Sequence, residues 1–255
     1  LANCEVIQSL IQDRPAGVLP FDVVVLSAVL EHLPDVAENV QRVASWLAPG
    51  GSLVIEVPDA AHFAQAVNAP YQEFSVEHVN FFSAGSLRNL AHVHGLKVVA
   101  EDHRECLAGP GVTGSIVRVV TRANGDRQET IYEDQTRKAV VDYIEKSQTL
   151  DQRMDEIFAR LREQGTPVHV WGVGTLCQRL VANGRLNGLS IASFVDSNQK
   201  AHSKEFAGLY VKSPEQLPDD GSPVIIMSWP FADEIESAIL ARSTLPRNIV
   251  RVITR

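Results

Sequence analysis

Cysteine is scarce: Cys4, Cys106 and Cys177 are the only three in 255 residues. Their number is odd and they show no metal-ligand spacing. This argues against a disulfide framework and for reduced, structural thiols in a cytoplasmic protein. There is no basic block, and the formal net charge is −8, which argues against nucleic acid or an anionic membrane as partner. No apolar run approaches the roughly twenty residues of a membrane span, and no signal-peptide pattern is visible. What is present is 45% apolar content, enough for about two globular domains of roughly 100–150 residues each.

The pattern is α/β. Val23, Val24, Val25 and Leu26 form a short continuous apolar run, as in a strand buried on both faces of a parallel sheet. Asp35 is placed to cap a helix whose apolar positions are Val36, Val40, Val43 and Leu47, and Pro49-Gly50-Gly51 is placed to end it. Leu53, Ile55 and Val57 alternate into a second strand, giving strand, crossover helix, parallel strand. Ligands bind at the carboxyl ends of such strands, so residues 27–32 and 56–59 lie on the ligand side. A helix over 84–94 is expected between Ser83 as cap and Gly95 as terminator, followed by strands at 96–103 and 115–121. The glycine-rich loop 109–114 between them is flexible enough to approach a ligand.

Residues 128–164 read as a long helix, with Val140, Ile144, Leu150, Met154, Ile157 and Leu161 near helical spacing. A helix packed on the domains and a dimerising coiled coil both remain open. The chain then restarts: strand 168–170, turn Gly172-Val173-Gly174, helix 175–183, strand 191–195 ending at Asp196, strand 224–227, helix 231–242, strand 249–253. This is a second, small doubly wound domain. The expected domains are 1–122, a helical linker 123–165, and 166–255. Gly172, Gly174 and Asp196 stand as in a dinucleotide fingerprint, but Cys177 occupies the third glycine position. Cofactor binding, a surface for part of a nucleotide-like substrate, and a bare tight turn all remain open.

The stretch from Phe21 to Asp35, with Ser27-Ala28-Val29-Leu30-Glu31-His32 at its centre, and the following Leu47-Ala48-Pro49-Gly50-Gly51 to Pro58, resemble the fourth and fifth strands of a class I S-adenosylmethionine methyltransferase. The resemblance implies S-adenosylmethionine as cofactor, near Ser27, Ala28, Glu31, His32 and Asp13. A plainer reading stays beside it: Glu31-His32 orients the next helix and Asp13 is an exposed loop acid. Such a domain starts with a strand, a glycine-rich turn and a ribose-gripping acid, which residues 1–20 do not contain. The expectation is therefore an incomplete methyltransferase sheet with impaired cofactor binding in this chain alone. Its vacant edge is expected to be covered by a partner chain or by residues 1–20.

The segment Pro70-Tyr71-Gln72-Glu73-Phe74-Ser75-Val76-Glu77-His78-Val79-Asn80-Phe81-Phe82-Ser83 narrows the resemblance. With its Glu-His-Val-x-Phe-Phe-Ser pattern, the Ser-Leu helix after it and Gly114-Ser115-x-x-Arg118, it looks like the sugar C-methyltransferase family. Those enzymes methylate a nucleotide-linked keto-deoxysugar and carry a carboxy-terminal Rossmann-like domain similar to residues 166–255. The resemblance makes His78 the general base, Glu77 its partner or a substrate contact, and Tyr71 a further catalytic candidate. Ser75, Asn80, Gly114, Arg118, Gly172, Gly174 and Asp196 become substrate contacts. The chemistry is reasonable: a positioned imidazole can take a weakly acidic proton next to a ketone while a donor stabilises the enolate oxygen.

The sequence departs from that family in places. Ser75 stands where related enzymes present tyrosine, and Val112-Thr113 interrupts a loop where some have histidine and paired glycines. Carbon and oxygen both remain open as methyl acceptor. The family's amino-terminal zinc domain is absent from this sequence. The remaining histidines, His62, His92, His94, His103, His169 and His202, lack ligand spacing and are expected to serve surface or packing roles, with no metal bound. The bland counterpart for Glu77-His78 is a polar loop anchored by Phe81 and Phe82. A homodimer remains open, as do two other functions: a non-catalytic binding or scaffold protein, and a nucleotide-dependent oxidoreductase using the Gly172-Gly174 turn.

Overall fold

The computed structural model describes residues 4–13, 20–65, 67, 69–75, 77–109, 112–123 and 129–253. Pro110 and Gly111 of the glycine-rich loop, and Val76 beside Glu77, fall outside them. The chain forms two compact units: Leu1–Ala66, Glu73–Ala108 and Thr113–Tyr143 make the first, and Val67–Gln72, Gly109–Val112 and Ile144–Arg255 the second.

The first unit runs β1 (Phe21–Ser27), α1 (Val36–Ala44), β2 (Leu47–Pro58), α2 (Ala84–Val93), β3 (Leu96–Gly109) and β4 (Val112–Ala123), with sheet order β1-β2-β4-β3. β1 and β2 are parallel, as the crossover pattern requires, and β4 pairs antiparallel with β2. Leu26, Leu30, Val40, Val43, Leu53, Ile55, Leu87, Val117 and Val119 close the core. Ser83 caps α2 as expected: its side chain accepts from the Ser86 N–H in a reciprocal capping box.

Two local expectations are corrected. The helix α1 ends at Ala44, and Leu47 already belongs to β2. Pro49-Gly50-Gly51 lies in an irregularity of that strand, where the β1–β2 register jumps from Phe21–Leu47 to Val23–Ser52. Glycine is needed there, because a Cβ on Gly51 would meet the carbonyl oxygens of Ala48 and Phe21 at 2.9 Å. Asp35 stands at the N-cap of α1 without a side-chain capping bond; its carbonyl instead accepts from the Asn39 backbone and side chain.

Val23 and Val25, expected to be buried, are more than half exposed. The pleat turns Leu26 to the core and these two to the opposite face. Among the described residues no strand pairs along the outer edge of β1. Of the described part of residues 1–20, Ile11 packs against the core and the rest is exposed except for Ile11.

The ligand-side ends of three strands are tied by one polar row. Ser27, Glu56 and Arg118 are register partners across β1, β2 and β4. Ser27 Oγ donates to Glu56 Oε1 at 2.9 Å, and the Arg118 guanidinium grips Glu56 Oε2, its Nε at 2.8 Å. The Arg118 hydrogen bond holds the Glu56 carboxyl below its ordinary value.

The helix α3 (Asp134–Gln164) follows; from Ile144 it belongs to the second unit, burying Met154, Phe158 and Leu161 in that unit's core. Then come β5 (Val168–Trp171), α4 (Thr175–Ala182), β6 (Ile191–Val195), β7 (Glu205–Phe206), β8 (Leu209–Lys212), β9 (Val224–Ile226), α5 (Ala232–Arg242) and β10 (Ile249–Arg251). The sheet order is β10-β9-β5-β6-β8-β7, parallel except for the β7–β8 pair. The chain starts at the central β5 and grows to both sides, so the fold is doubly wound, with its switch point between β5 and β9. The short β7–β8 pair has no clear apolar alternation and is not legible in the sequence.

Asp151, on α3, is buried and takes a two-pronged bond from Arg179 at 2.7 and 3.1 Å and an ion pair from Arg185 at 2.9 Å. Asp151→Ala leaves two cations facing a dry gap. Loss of a buried partner costs about 3–5 kcal/mol, and the lower end applies because both guanidiniums keep about a quarter of their surface in water. A clear fall in the urea midpoint of the second unit, followed by tryptophan fluorescence, is the expected result.

The Glu56 row sets a pH dependence. A carboxyl whose folded pKa is depressed contributes stability above its unfolded pKa, about 4.3. That contribution is lost as pH falls through the folded value. The melting-temperature difference between wild type and Glu56→Gln should therefore hold steady from about pH 7 to about pH 5 and shrink below about pH 4. Melts across that range check it.

Candidate active site

The site is built by a backbone clamp. Glu31 and His32 lie in a short 3-10 turn just after β1, and Glu77, His78 and Asn80 lie on the segment before α2. The N–H groups of Val79 and Asn80 both donate to the Glu31 carbonyl, at 2.9 and 3.1 Å, and Asn80 Nδ2 donates to the Leu33 carbonyl at 2.6 Å. His32 Nδ1 lies 2.8 Å from the Glu77 carbonyl. A carbonyl can only accept, so Nδ1 carries a proton, and it is Nε2 that presents a lone pair in the tautomer this bond selects. That Nε2 is 3.9 Å from Glu31 Oε1. The His32 and His78 rings meet edge to face with centroids 4.9 Å apart.

Glu31 is 2% exposed, and its Oε2 is buried with no hydrogen-bond partner among the described residues. A buried carboxylate oxygen left unpaired is costly, and a ligand hydroxyl or ammonium that donates to it removes the cost. The orphan atom therefore fits a polar ligand at the carboxyl end of β1. Ligand atoms of Glu31, His32 and His78 also lie within 4.8 Å of one another, close enough to hold a cation.

The segment carrying His78 is anchored as well as polar. Phe63, Phe74, Phe81 and Tyr143 make edge-to-face contacts with centroids 5.2 to 6.5 Å apart, and the Glu73 N–H donates to the Tyr143 hydroxyl at 2.9 Å. Ser75 supplies the turn, its Oγ accepting from Glu77 N–H and its carbonyl from His78 N–H. The anchoring expected of the bland reading is present, and it positions the imidazole.

The other residues singled out from the sequence are distributed more widely. Ser27 and Arg118 are joined through Glu56, and Gly114 lies earlier on β4 than Arg118. Ala28 holds φ 52°, an uncommon value for alanine, with its N–H on the Glu56 carbonyl. Asp13 is exposed at the end of a turn closed on the Leu10 carbonyl, with no contact to this group. Tyr71 groups with the second unit, where its N–H donates to Ser147 Oγ and the Arg179 guanidinium lies over its ring at 5.3 Å.

In the second unit Gly172 has φ 105° at the switch point, and a Cβ on Gly174 would meet nothing within 4 Å. Asp196 is engaged by the chain itself: Oδ2 accepts from the Val173 N–H at 2.8 Å and Oδ1 from the Asn198 N–H at 2.7 Å. Cys177 is fully buried in the third glycine position, its thiol pushed up to about 12 by burial. Asp196 pins the glycine turn to the end of β6.

His62 and His103, expected to serve surface or packing roles, are partly exposed and share one carboxylate. Both reach one oxygen of the fully buried Asp59, His62 Nδ1 at 2.6 Å and His103 Nδ1 at 2.8 Å. The Asp59 hydrogen bond raises the His103 pKa above its ordinary value. The spacing of Asp59 and His62 just beyond β2 was the available signal; His103 comes from β3, which only the folded sheet brings near. His169 is buried against Ser193 and Asp220, and burial lowers its pKa.

Residues 3–101 match the family model described as Methyltransferase domain. The C-methyltransferase NovU of Streptomyces niveus is 28% identical over 228 residues, covering 80% of this chain and 50% of that protein. The chain thus spans about half the length of that relative. A solved structure of a putative methyltransferase from Bacillus halodurans superposes with a TM-score of 0.38 at 14% identity, over 48% of this chain and 79% of that one. The N-methyltransferase NodS from Bradyrhizobium japonicum, in complex with S-adenosyl-l-homocysteine, superposes with a TM-score of 0.33 at 18% identity, over 46% and 52%. No helix among the described residues is long and apolar enough to cross a membrane. Residues 3–101 are thus similar in sequence to a methyltransferase domain, and the sheet they contribute to belongs to a mixed α/β frame.

Proposed function

We propose that this chain is part of an S-adenosylmethionine-dependent methyltransferase that methylates a nucleotide-linked keto-deoxysugar at carbon. The observation that carries this reading is the clamped group of Glu31, His32 and His78, with a buried acceptor oxygen that has no partner among the described residues. It stands on residues that match a methyltransferase domain and a segment that resembles the sugar C-methyltransferases. S-adenosylmethionine, when bound, supplies an electrophilic methyl group, and Ser27 and Ala28 at the end of β1 are the residues that would hold it.

The chain's own part is proton chemistry. His78 takes the proton from the carbon beside the sugar ketone, and the edge-on His32 fixes its ring. Asn80 is held by its bond to Leu33 and orients the segment rather than the substrate. Glu31 Oε2 accepts from a sugar hydroxyl, so binding the correct ligand satisfies an atom that is otherwise unpaired.

A second assignment of the base has its own support. The Glu77 carbonyl fixes the tautomer of His32 so that Nε2 is free to accept, and Glu31 is near enough to stabilise the resulting imidazolium. Solvent deuterium exchange into the keto-sugar, followed without S-adenosylmethionine, separates the two. The expected result is exchange in the wild type that falls about a hundredfold to ten-thousandfold in His78→Ala. Exchange undiminished in His78→Ala but lost in His32→Ala moves the role to His32. Persistence in both variants removes this proton step from the site.

A further inference from the structure

We infer that Asp59, His62 and His103 form a binding site for a zinc-class divalent cation, separate from the Glu31, His32 and His78 group. The inference does not rest on the methyltransferase reading. Three ligand atoms from two distant segments converge: Asp59 Oδ2, His62 Nδ1 and His103 Nδ1, all within 4.8 Å of one another. Two imidazoles and one carboxylate are a donor set that suits zinc and its neighbours, with a fourth position left to water or substrate.

The surroundings are arranged as a metal site requires. Asp59 is fully buried, and its other oxygen, Oδ1, is fixed by the Ala61 N–H at 3.1 Å, which leaves Oδ2 for a ligand bond. His103 turns its second nitrogen, Nε2, to Glu101 Oε1 at 3.2 Å. Glu101 is itself held by Arg88 Nη1 at 2.8 Å. A carboxylate on the far nitrogen of a ligating histidine fixes its tautomer and raises its basicity.

On binding, a cation takes the place of the Nδ1 proton of each histidine, which leaves to solvent, and the His103 Nε2–H bond to Glu101 is untouched.

The distances are compatible after a small adjustment. Bonds of about 2.0–2.1 Å at a tetrahedral angle place ligand atoms about 3.3 Å apart. The present separations of 2.6 and 2.8 Å need to open by roughly half an ångström. His62 and His103 are the members able to give, with side chains 32% and 40% exposed. Their exposure also leaves the fourth coordination position open to solvent.

The test is a cobalt(II) titration of the metal-free chain, read by visible d–d absorption with zinc displacement as confirmation. The expected result is a four-coordinate spectrum saturating at one equivalent, lost in His62→Ala and in His103→Ala and kept in His78→Ala. Glu101→Gln, which removes no ligand, is expected to weaken binding about tenfold to a hundredfold with an unchanged melting temperature. That variant keeps the test sharp if an alanine variant fails to fold. The inference is overturned if the wild type takes up no cobalt, if both alanine variants bind as the wild type does, or if only His78→Ala abolishes the spectrum.

Discussion

Two amide N–H groups meeting one carbonyl oxygen hold the candidate site together. The Glu31 carbonyl receives Val79 and Asn80, and through that fork a turn after β1 is joined to a segment more than forty residues later. The side chains follow from it. Once the two backbones are fixed, His32 reaches the Glu77 carbonyl, the His78 ring meets the His32 ring, and Asn80 closes on Leu33. The aromatic group of Phe63, Phe74, Phe81 and Tyr143 supports the same segment from its apolar side.

Carboxylates define the polar features of both units, three of them buried (Glu31, Asp59 and Asp151), and their partners tell what each does. Asp151 is saturated by two arginines and serves the second core. Asp196 is saturated by backbone N–H groups and shapes a turn. Glu56 bridges three strands through Ser27 and Arg118. Glu31 differs, because one oxygen has no partner among the described residues, and Asp59 differs because its partners are two histidines able to exchange protons for a cation. A charge kept in a low-dielectric site without a full partner set marks where a ligand supplies the rest.

Much of the fold was legible from period and punctuation. The alternation of Leu53, Ile55 and Val57, the Ser83 cap, the terminating Gly95 and the restart at Val168 all correspond to observed elements. The failures have physical causes. Pro49-Gly50-Gly51 reads locally as a helix stop, but the close approach of β1 to β2 uses those residues as a bulge. Val23 and Val25 read as doubly buried, yet burial depends on what covers a face, which the strand's own residues do not encode. Gly172 and Asp196 were visible as a spaced pair, whereas the saturation of Asp196 by Val173 and Asn198 is a matter of turn geometry.

By itself the sequence determined the mixed α/β character and marked the Glu77-His78 segment as a chemical candidate. Local periodicity and turn residues are written in neighbouring positions, so one chain suffices to read them. Only the tertiary structure decided that Glu31 and His32 stand against His78, that Tyr71 lies under Arg179, and that His62 and His103 share Asp59. Those meetings depend on strand order and on single hydrogen bonds between segments far apart in the chain. No spacing along the sequence records them.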